Sequence, residues 1–345
     1  MPRSETIERT TSPSAVRRRG LLYALLGLVL MTTGGFFMGP RLSFGPDRPA
    51  AREAPPKDIA ALDAWLLASE RAVAGIRPGT AKGVVWADTS RQRTPWSVVY
   101  VHGFSASRLE TSPLAEHVAK GLGANLFHTR LTGHGLGFEA MGRATVQDWL
   151  ADTLEAATIG QLLGERVLLI SCSSGSTLAT WLGLRPEGKG ITAQVFISPN
   201  FGPKDKRADL LLGPWGEYMA YAIAGDTYGQ ASSDPLENMG WTAPYPTRAI
   251  FPMMSLVKKV RESELSGFTT PLLLLYSESD QRVDAAQTKA AFAKIGAPLK
   301  NLVSVTYSES RAQHVLAGDI LAPKATAPMV ASILEWLKAV PPPSP

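Results

Sequence analysis

The sequence predicts an α/β fold: a mainly parallel sheet with helices on both faces and an inserted cap. Three observations carry this expectation. Short, continuously apolar runs rich in Val, Ile and Leu alternate with amphipathic helical segments, the pattern of strands buried on both faces. The alternation is broken once, by about 70 residues between Ser198 and Pro271 that hold no clean strand. An insertion that long in a compact domain usually has a function of its own. No self-similarity recurs at the spacing of repeat proteins, which sets solenoids and propellers aside.

The chain begins with a basic tail, residues 1–19, that closes on Arg17-Arg18-Arg19. Residues 20–40, GLLYALLGLVLMTTGGFFMGP, are uncharged and mostly apolar, and at about 1.5 Å per residue they can cross a hydrocarbon core of about 30 Å. Positive charge before such a segment keeps the tail cytoplasmic and sends the rest across. An uncleaved signal anchor, with the globular domain on the non-cytoplasmic (periplasmic or extracellular) side, fits this length best. Secretion after cleavage of a Sec or twin-arginine signal (Arg18-Arg19-Gly20-Leu21-Leu22) is the alternative, and a partner-binding helix is another. Residues 41–57, rich in proline and charge, read as a linker, and the globular part runs from 58 to 345 with a cap at about 201–268.

The net charge of +5 does not mark a nucleic-acid binder. Residues 1–57 hold nine Lys/Arg against four Asp/Glu, and the remaining 26 of each sign balance in residues 58–345. No basic stripe is left on the globular part to track phosphates. Cys172 is the sole cysteine, so no intrachain disulfide staples the fold.

Within the globular part, a helix is expected over IAALDAWLLASERAV, from Ile59. Strands follow at 83–88, 96–101, 124–129, 166–171, 193–198, 271–277 and 301–307. Between and after them come helical patterns in LETSPLAEHVAKGLG, ATVQDWLADTLEAATIGQLLG, GSTLATWLGL, DAAQTKAAFAKIG and ATAPMVASILEWLKAV. The insertion carries Trp215, Tyr218, Tyr221, Trp241, Tyr245, Phe251, Met253 and Met254, which either line an acyl pocket or form the cap's own core.

Chemistry centres on SCSSGS, residues 171–176, which follows the strand RVLLI. A strand–turn–helix step exposes one side chain at the carboxyl edge of a parallel sheet, and the residues two before and two after it must be small. Ser173 meets that requirement with Ser171 and Gly175, whereas Ser171 and Cys172 would follow Leu169 and Ile170. A serine hydroxyl needs a base, itself oriented by an acid. Of the five histidines only His314 lies beyond the last expected strand, on a loop before the final helix. Asp280 follows the strand PLLLLYS, with Glu278 and Asp284 as rivals, and Asp284 reads better as a helix N-cap. The strand VYV runs into His102-Gly103-Phe104, so the Phe104 amide can face the Ser174 amide across the site as a pair of oxyanion donors. The alternative for His102-Gly103, taken alone, is an ordinary strand-ending turn. RLTGHG, with His134, reads as a structural loop beside the site, while His117 is expected on a surface and His128 in a structural role.

Taken together, HGFSAS, RLTGHG, the Asp-Trp of VQDWLAD, SCSSGS, SESDQRVD and QHVLAGD resemble an α/β-hydrolase of the carboxylesterase and monoacylglycerol-lipase-like group, over residues 83–340. The resemblance implies the α/β-hydrolase fold with a cap after the sixth strand, and hydrolysis of carboxylic esters through an acyl-enzyme without metal or organic cofactor. By position it implies Ser173 as nucleophile, Asp280 as acid, His314 as base, and Phe104 and Ser174 as oxyanion donors. Ser171 departs from the family's usual glycine. The expected partner is a small or lipid-like ester, with the membrane reached through the N-terminal helix. Amide cleavage or acyl transfer on the same triad, or a non-catalytic tethered binding domain, are the rival functions.

Overall fold

A computed structural model describes residues 13–45 and 47–342; residues 1–12 of the basic tail lie outside it. Helix α1 (Pro13–Phe37) is followed by an irregular segment, then α2 (Leu62–Arg71). The main sheet starts with β1 (Gly83–Val85) and β2 (Thr94–Val101), then α3 (Leu114–Leu122) leads to β3 (Asn125–His128). After the short α4 (Phe138–Met141) come α5 (Val146–Leu163), β4 (Gly164–Cys172), α6 (Ser174–Gly183) and β5 (Ala193–Ile197). The insertion holds α7 (Gly216–Ala224), a two-stranded ribbon of β6 (Thr227–Tyr228) and β7 (Tyr245–Pro246), α8 (Pro235–Gly240) and α9 (Ile250–Arg261). The chain finishes with β8 (Leu272–Tyr276), α10 (Ala285–Lys294), β9 (Lys300–Ser304) and α11 (Pro323–Leu337).

The seven main strands are ordered β1-β3-β2-β4-β5-β8-β9, parallel throughout except for β1 against β3. Alternate side chains of each strand enter opposite cores. Val99, Leu169, Phe196 and Leu274 face α2, α5, α6 and α9, while Val98, Leu168, Val195 and Leu273 face α3 and α11. Both faces are therefore apolar, which accounts for strands that read as unbroken hydrophobic runs.

All seven expected strands are present, five of them shorter than anticipated. The ladder of β1 ends at Val85, and the Ala87 N–H turns to the Asn125 side chain at 3.0 Å. The edge strand β9 ends at Ser304, after which the chain leaves the sheet to form the loop that carries His314.

Two regions differ in character from their sequence. The described residues of 41–57 contain no helix or strand, yet they are fastened to the body rather than free. Asp47 accepts from Trp181 Nε1 at 3.0 Å and from Arg185 at 2.8 Å, and pairs with Lys259 at 3.1 Å. The Ala50 N–H donates to the Gln147 carbonyl at 2.9 Å, and Arg52 binds Asp148 and the buried Asp152. The second half of the insertion belongs to the main core: Leu256 and Val260 of α9, with Leu265 and Phe268, pack among the side chains of α5 and α6.

Candidate active site

Register places the carboxyl ends of β2, β4, β5 and β8 side by side, with Val101 beside Ser171, Cys172 beside Ile197 and Ile197 beside Leu275. At the end of β4 the chain turns into α6 through Ser173, which has φ 53° and ψ −119°. A non-glycine residue at positive φ is strained, and such strain concentrates where side chains must be presented. The turn explains its neighbours. A Cβ on Gly175 would stand 2.3 Å from the Val101 carbonyl oxygen, so that position admits only glycine. Ser171 fits where a glycine is more usual, because its hydroxyl is buried against Ser176 Oγ at 3.0 Å.

The structure brings Ser173, His314 and Asp280 into one line. His314 Nε2 lies 3.0 Å from Ser173 Oγ, and His314 Nδ1 lies 2.8 Å from Asp280 Oδ2. The Asp280 carboxylate is held from behind: its Oδ1 accepts the N–H groups of Arg282 at 2.7 Å and Val283 at 2.9 Å. With Nδ1–H directed at that carboxylate, Nε2 is left as the acceptor for the serine proton. The rival carboxylates are occupied elsewhere. Asp284 caps α10 through the Ala286 N–H, and Glu278 binds Lys289 and the Tyr276 hydroxyl on the surface.

The acid and base loops are also tied to each other. The Gln281 N–H donates to the Ala312 carbonyl at 3.0 Å. The Gln313 amide accepts from Ser277 at 3.0 Å and donates to the carbonyls of Ser308 and Ser310.

The backbone N–H groups of Phe104 and Ser174 donate to no protein acceptor among the described residues. The peptide that carries the Phe104 N–H is clamped. His102 donates from Nδ1 to the Gly103 carbonyl at 2.9 Å and accepts the Leu131 N–H on Nε2 at 3.1 Å. Because a trans peptide points C=O and N–H in opposite directions, anchoring the Gly103 carbonyl aims the Phe104 N–H the other way. One residue earlier, the Gly103 N–H donates to Glu110 Oε1 at 2.7 Å, which also accepts the Tyr100 hydroxyl at 2.8 Å. A Cβ on Gly103 would lie 3.1 Å from both Glu110 Oε2 and the Ser173 Cβ, so a bulkier residue would press on the turn.

Burial governs the ionisation of this layer. His102 is held well below the ordinary imidazole range by desolvation and by the proximity of His134, which keeps it neutral as its hydrogen bonds require. His134 is pushed down to about 4 by burial. Burial pushes Glu110 up to about 7, against the opposing hydrogen bonds from Gly103 and Tyr100. Cys172 is a free, buried thiol raised well above its usual value by desolvation, and so is inert.

His134 takes no place in the line; its ring packs 5.9 Å from Phe104 and 5.7 Å from Trp149. His128 ends β3 with Nε2 at 3.2 Å from Glu116, and His117 is exposed on α3. A small apolar pocket lies beside Ser174, lined by Phe104, Leu131, His134, Trp149, Leu178 and Leu256. That lining comes from the loops after β2 and β3, from α5 and α6, and from α9 through Leu256. Of the insertion's aromatic and methionine residues, Tyr245 packs edge-on to Phe104 at 5.2 Å and Met253 Sδ sits 3.5 Å from the Asn200 amide. Phe251 and Met254 are core, while Trp215 and Tyr218 face outward.

Two contributors were not visible in the sequence reading. Glu110 lies seven residues past Gly103 with no motif around it, and Gln313 reads as an ordinary loop residue until its φ of 51° and its three partners are seen.

No family model matches the chain. It is 27% identical over 216 residues to the thermostable monoacylglycerol lipase of Bacillus sp. (strain H-257), a match covering 62% of this chain and 82% of that protein. Among solved structures, a metagenome-derived lipolytic enzyme of the LipS and LipT study superposes with TM-score 0.61 at 22% identity, over 76% of this chain and 99% of the other. A soluble variant of the Saccharomyces cerevisiae monoglyceride lipase gives 0.56 at 13% identity, covering 76% and 92% of the two chains. The Paleococcus ferrophilus monoacylglycerol lipase gives 0.54 at 15%, covering 75% and 98%. Likeness at these identities establishes the fold.

Proposed function

We propose that this chain, an α/β-hydrolase in fold, hydrolyses carboxylic esters through an acyl-enzyme formed on Ser173. The observation that carries the reading is the single hydrogen-bonded line from Ser173 Oγ through His314 to Asp280. In the first half-reaction His314 Nε2 takes the Ser173 proton as Oγ attacks the ester carbonyl. The Phe104 and Ser174 N–H groups receive the developing oxyanion, and each such donor is worth about 3 kcal/mol at the transition state. His314 then gives its proton to the departing alcohol. In the second half-reaction the same nitrogen deprotonates water, which releases the acid and restores the Ser173 hydroxyl. Asp280 keeps the imidazole in the required tautomer and stabilises the imidazolium between these transfers.

The substrate class we infer is a lipid-like ester with one acyl chain. Its support is the likeness to a protein named as a monoacylglycerol lipase, together with the apolar lining of the small pocket beside Ser174. We further infer that α1 anchors the enzyme in a membrane, with the globular domain on the non-cytoplasmic side. Its span Arg17–Phe37 is long and apolar enough to cross, none of it is buried within the protein, and it opens on Arg17-Arg18-Arg19. The test is hydrolysis of monoacylglycerols of graded chain length by the detergent-solubilised full chain. Wild type should cleave them, and Ser173→Ala should lose about 10³-fold or more in kcat. Equal rates in the two proteins, or cleavage confined to amide substrates, would overturn the reading.

A further inference from the structure

The turn that carries the Phe104 N–H is held on its entry side by Glu110 and His102, and on its exit side by the insertion. The Ala106 N–H closes the turn on the Gly103 carbonyl at 3.3 Å, which leaves Phe104 and Ser105 as its two central residues. Ser105 has φ 61°, a strained conformation for serine that persists only where the surroundings impose it. Those surroundings are residues 240–242, at the end of α8. The Thr242 N–H donates to the Ser105 carbonyl at 2.7 Å, and Ser107 Oγ donates to the Gly240 carbonyl at 3.0 Å. Both Gly240 and Thr242 are buried.

These residues are themselves fixed from outside the insertion. Arg77, between α2 and β1, donates through Nη1 to the carbonyls of Asn238 at 2.7 Å and Trp241 at 2.9 Å, and through Nη2 to Thr242 Oγ1 at 3.1 Å. The Thr242 hydroxyl donates onward to the Leu136 carbonyl at 3.2 Å. No carboxylate pairs with Arg77 among the described residues, and its Nε is buried without a partner. The rigid guanidinium fork is thus directed at the oxygens of one segment. Its backbone is anchored in turn, because the Arg77 N–H donates to the Gly135 carbonyl of the RLTGHG loop at 2.8 Å. The same loop supplies the Leu131 N–H that binds His102, so the entry and exit of the turn are held from a common base.

We propose that Arg77 is a positioning residue for the Phe104 donor: it fixes residues 238–242, through which the insertion holds the Ser105 carbonyl and with it the exit of the turn. The proposal rests on the ester-hydrolase reading above. It gives the insertion a share in the chemistry, since a displaced turn misaims a donor that acts on the developing oxyanion and not on the ground-state ester. The effect of Arg77 therefore falls on kcat and on the binding of tetrahedral anions.

The test compares wild type, Arg77→Ala and Arg77→Lys as detergent-solubilised full chains. The substrates are monoacylglycerols, and the inhibitor is an alkylboronic acid, whose boron bonds Ser173 Oγ to give a tetrahedral anion served by the same donors. Arg77→Ala should lower kcat about 10- to 100-fold with KM changed less than about twofold, and should raise the boronate inhibition constant by a factor similar to the loss in kcat. Arg77→Lys keeps the charge without the fork and should fall between; where Arg77→Ala does not fold, the same paired shift is read in Arg77→Lys. A loss of folded protein alone lowers kcat and leaves the boronate constant unchanged, and that result overturns the proposal. Wild-type kcat in folded Arg77→Ala also overturns it, and leaves the ester-hydrolase reading standing if Ser173→Ala is inactive. A wild-type chain no faster than Ser173→Ala overturns both.

Discussion

The Gly103 peptide is the smallest unit on which the proposed chemistry turns. Glu110 holds its N–H side and His102 its C=O side, and the Phe104 donor follows from that geometry. Glu110→Ala is expected to lower kcat about 10- to 100-fold with little change in KM, because the donor is misaimed rather than deleted. Glu110→Gln keeps an oxygen for Gly103 and Tyr100 and should retain most of the activity; steady-state kinetics on the three proteins decide this. The same residue gives a stability signature. Its folded-state value, raised to about 7 by burial, exceeds the ordinary carboxyl value of 4.5. Its contribution is therefore fully present below 4.5 and is lost as pH rises towards and through about 7, up to about 3 kcal/mol in all. Thermal unfolding between pH 4.5 and 8 should show wild type losing stability relative to Glu110→Gln as pH rises. A parallel pair of curves would refute the assignment.

At the scale of elements, the step from β4 to α6 is set by what surrounds it. Gly175→Ala has no room beneath the Val101 carbonyl and should destabilise the fold by about 2 kcal/mol or more, read from denaturant midpoints. The attachment of residues 41–57 to the body makes a second claim. Arg52 reaches the Asp148 and Asp152 carboxylates, and the Asp152 side chain is buried. Arg52→Ala leaves Asp152 without its charge partner and should cost about 2 kcal/mol, while limited proteolysis should cut within 41–57 sooner than in wild type. Much at this scale was legible in the sequence. The β strands announced themselves because both their faces are covered, and Ser173 could be chosen over its neighbours because a tight turn excludes Leu and Ile two residues before it. That attachment was not legible. Proline and charge mark 41–57 as lacking regular structure, but its partners Gln147, Trp181 and Lys259 are more than a hundred residues away, and no local pattern encodes such contacts. Glu110 escaped for the same reason: a carboxylate beneath a turn leaves no periodicity.

At the scale of the whole molecule, the parallel sheet gathers Ser173, Asp280 and His314 at one edge although they are separated by 107 and 34 residues along the chain. The insertion then divides into two parts. Helix α9 completes the core and contributes Leu256 to the small apolar pocket, whereas α7 looks outward beside the end of α1. The sequence showed one long interruption of the strand pattern and could not divide it, because apolar residues in α7 and α9 look alike until their neighbours are known. This division separates a half built into the core from a half presented to the surroundings.

The central claim is that His314 and Asp280 activate Ser173. The most direct test is to label the full chain with a fluorophosphonate probe and map the modified peptide by mass spectrometry. One adduct is expected, on Ser173, absent in Ser173→Ala and lost in His314→Ala while both variants remain folded by circular dichroism. A folded wild-type protein that takes no label, or takes it on a serine other than 173, would contradict it.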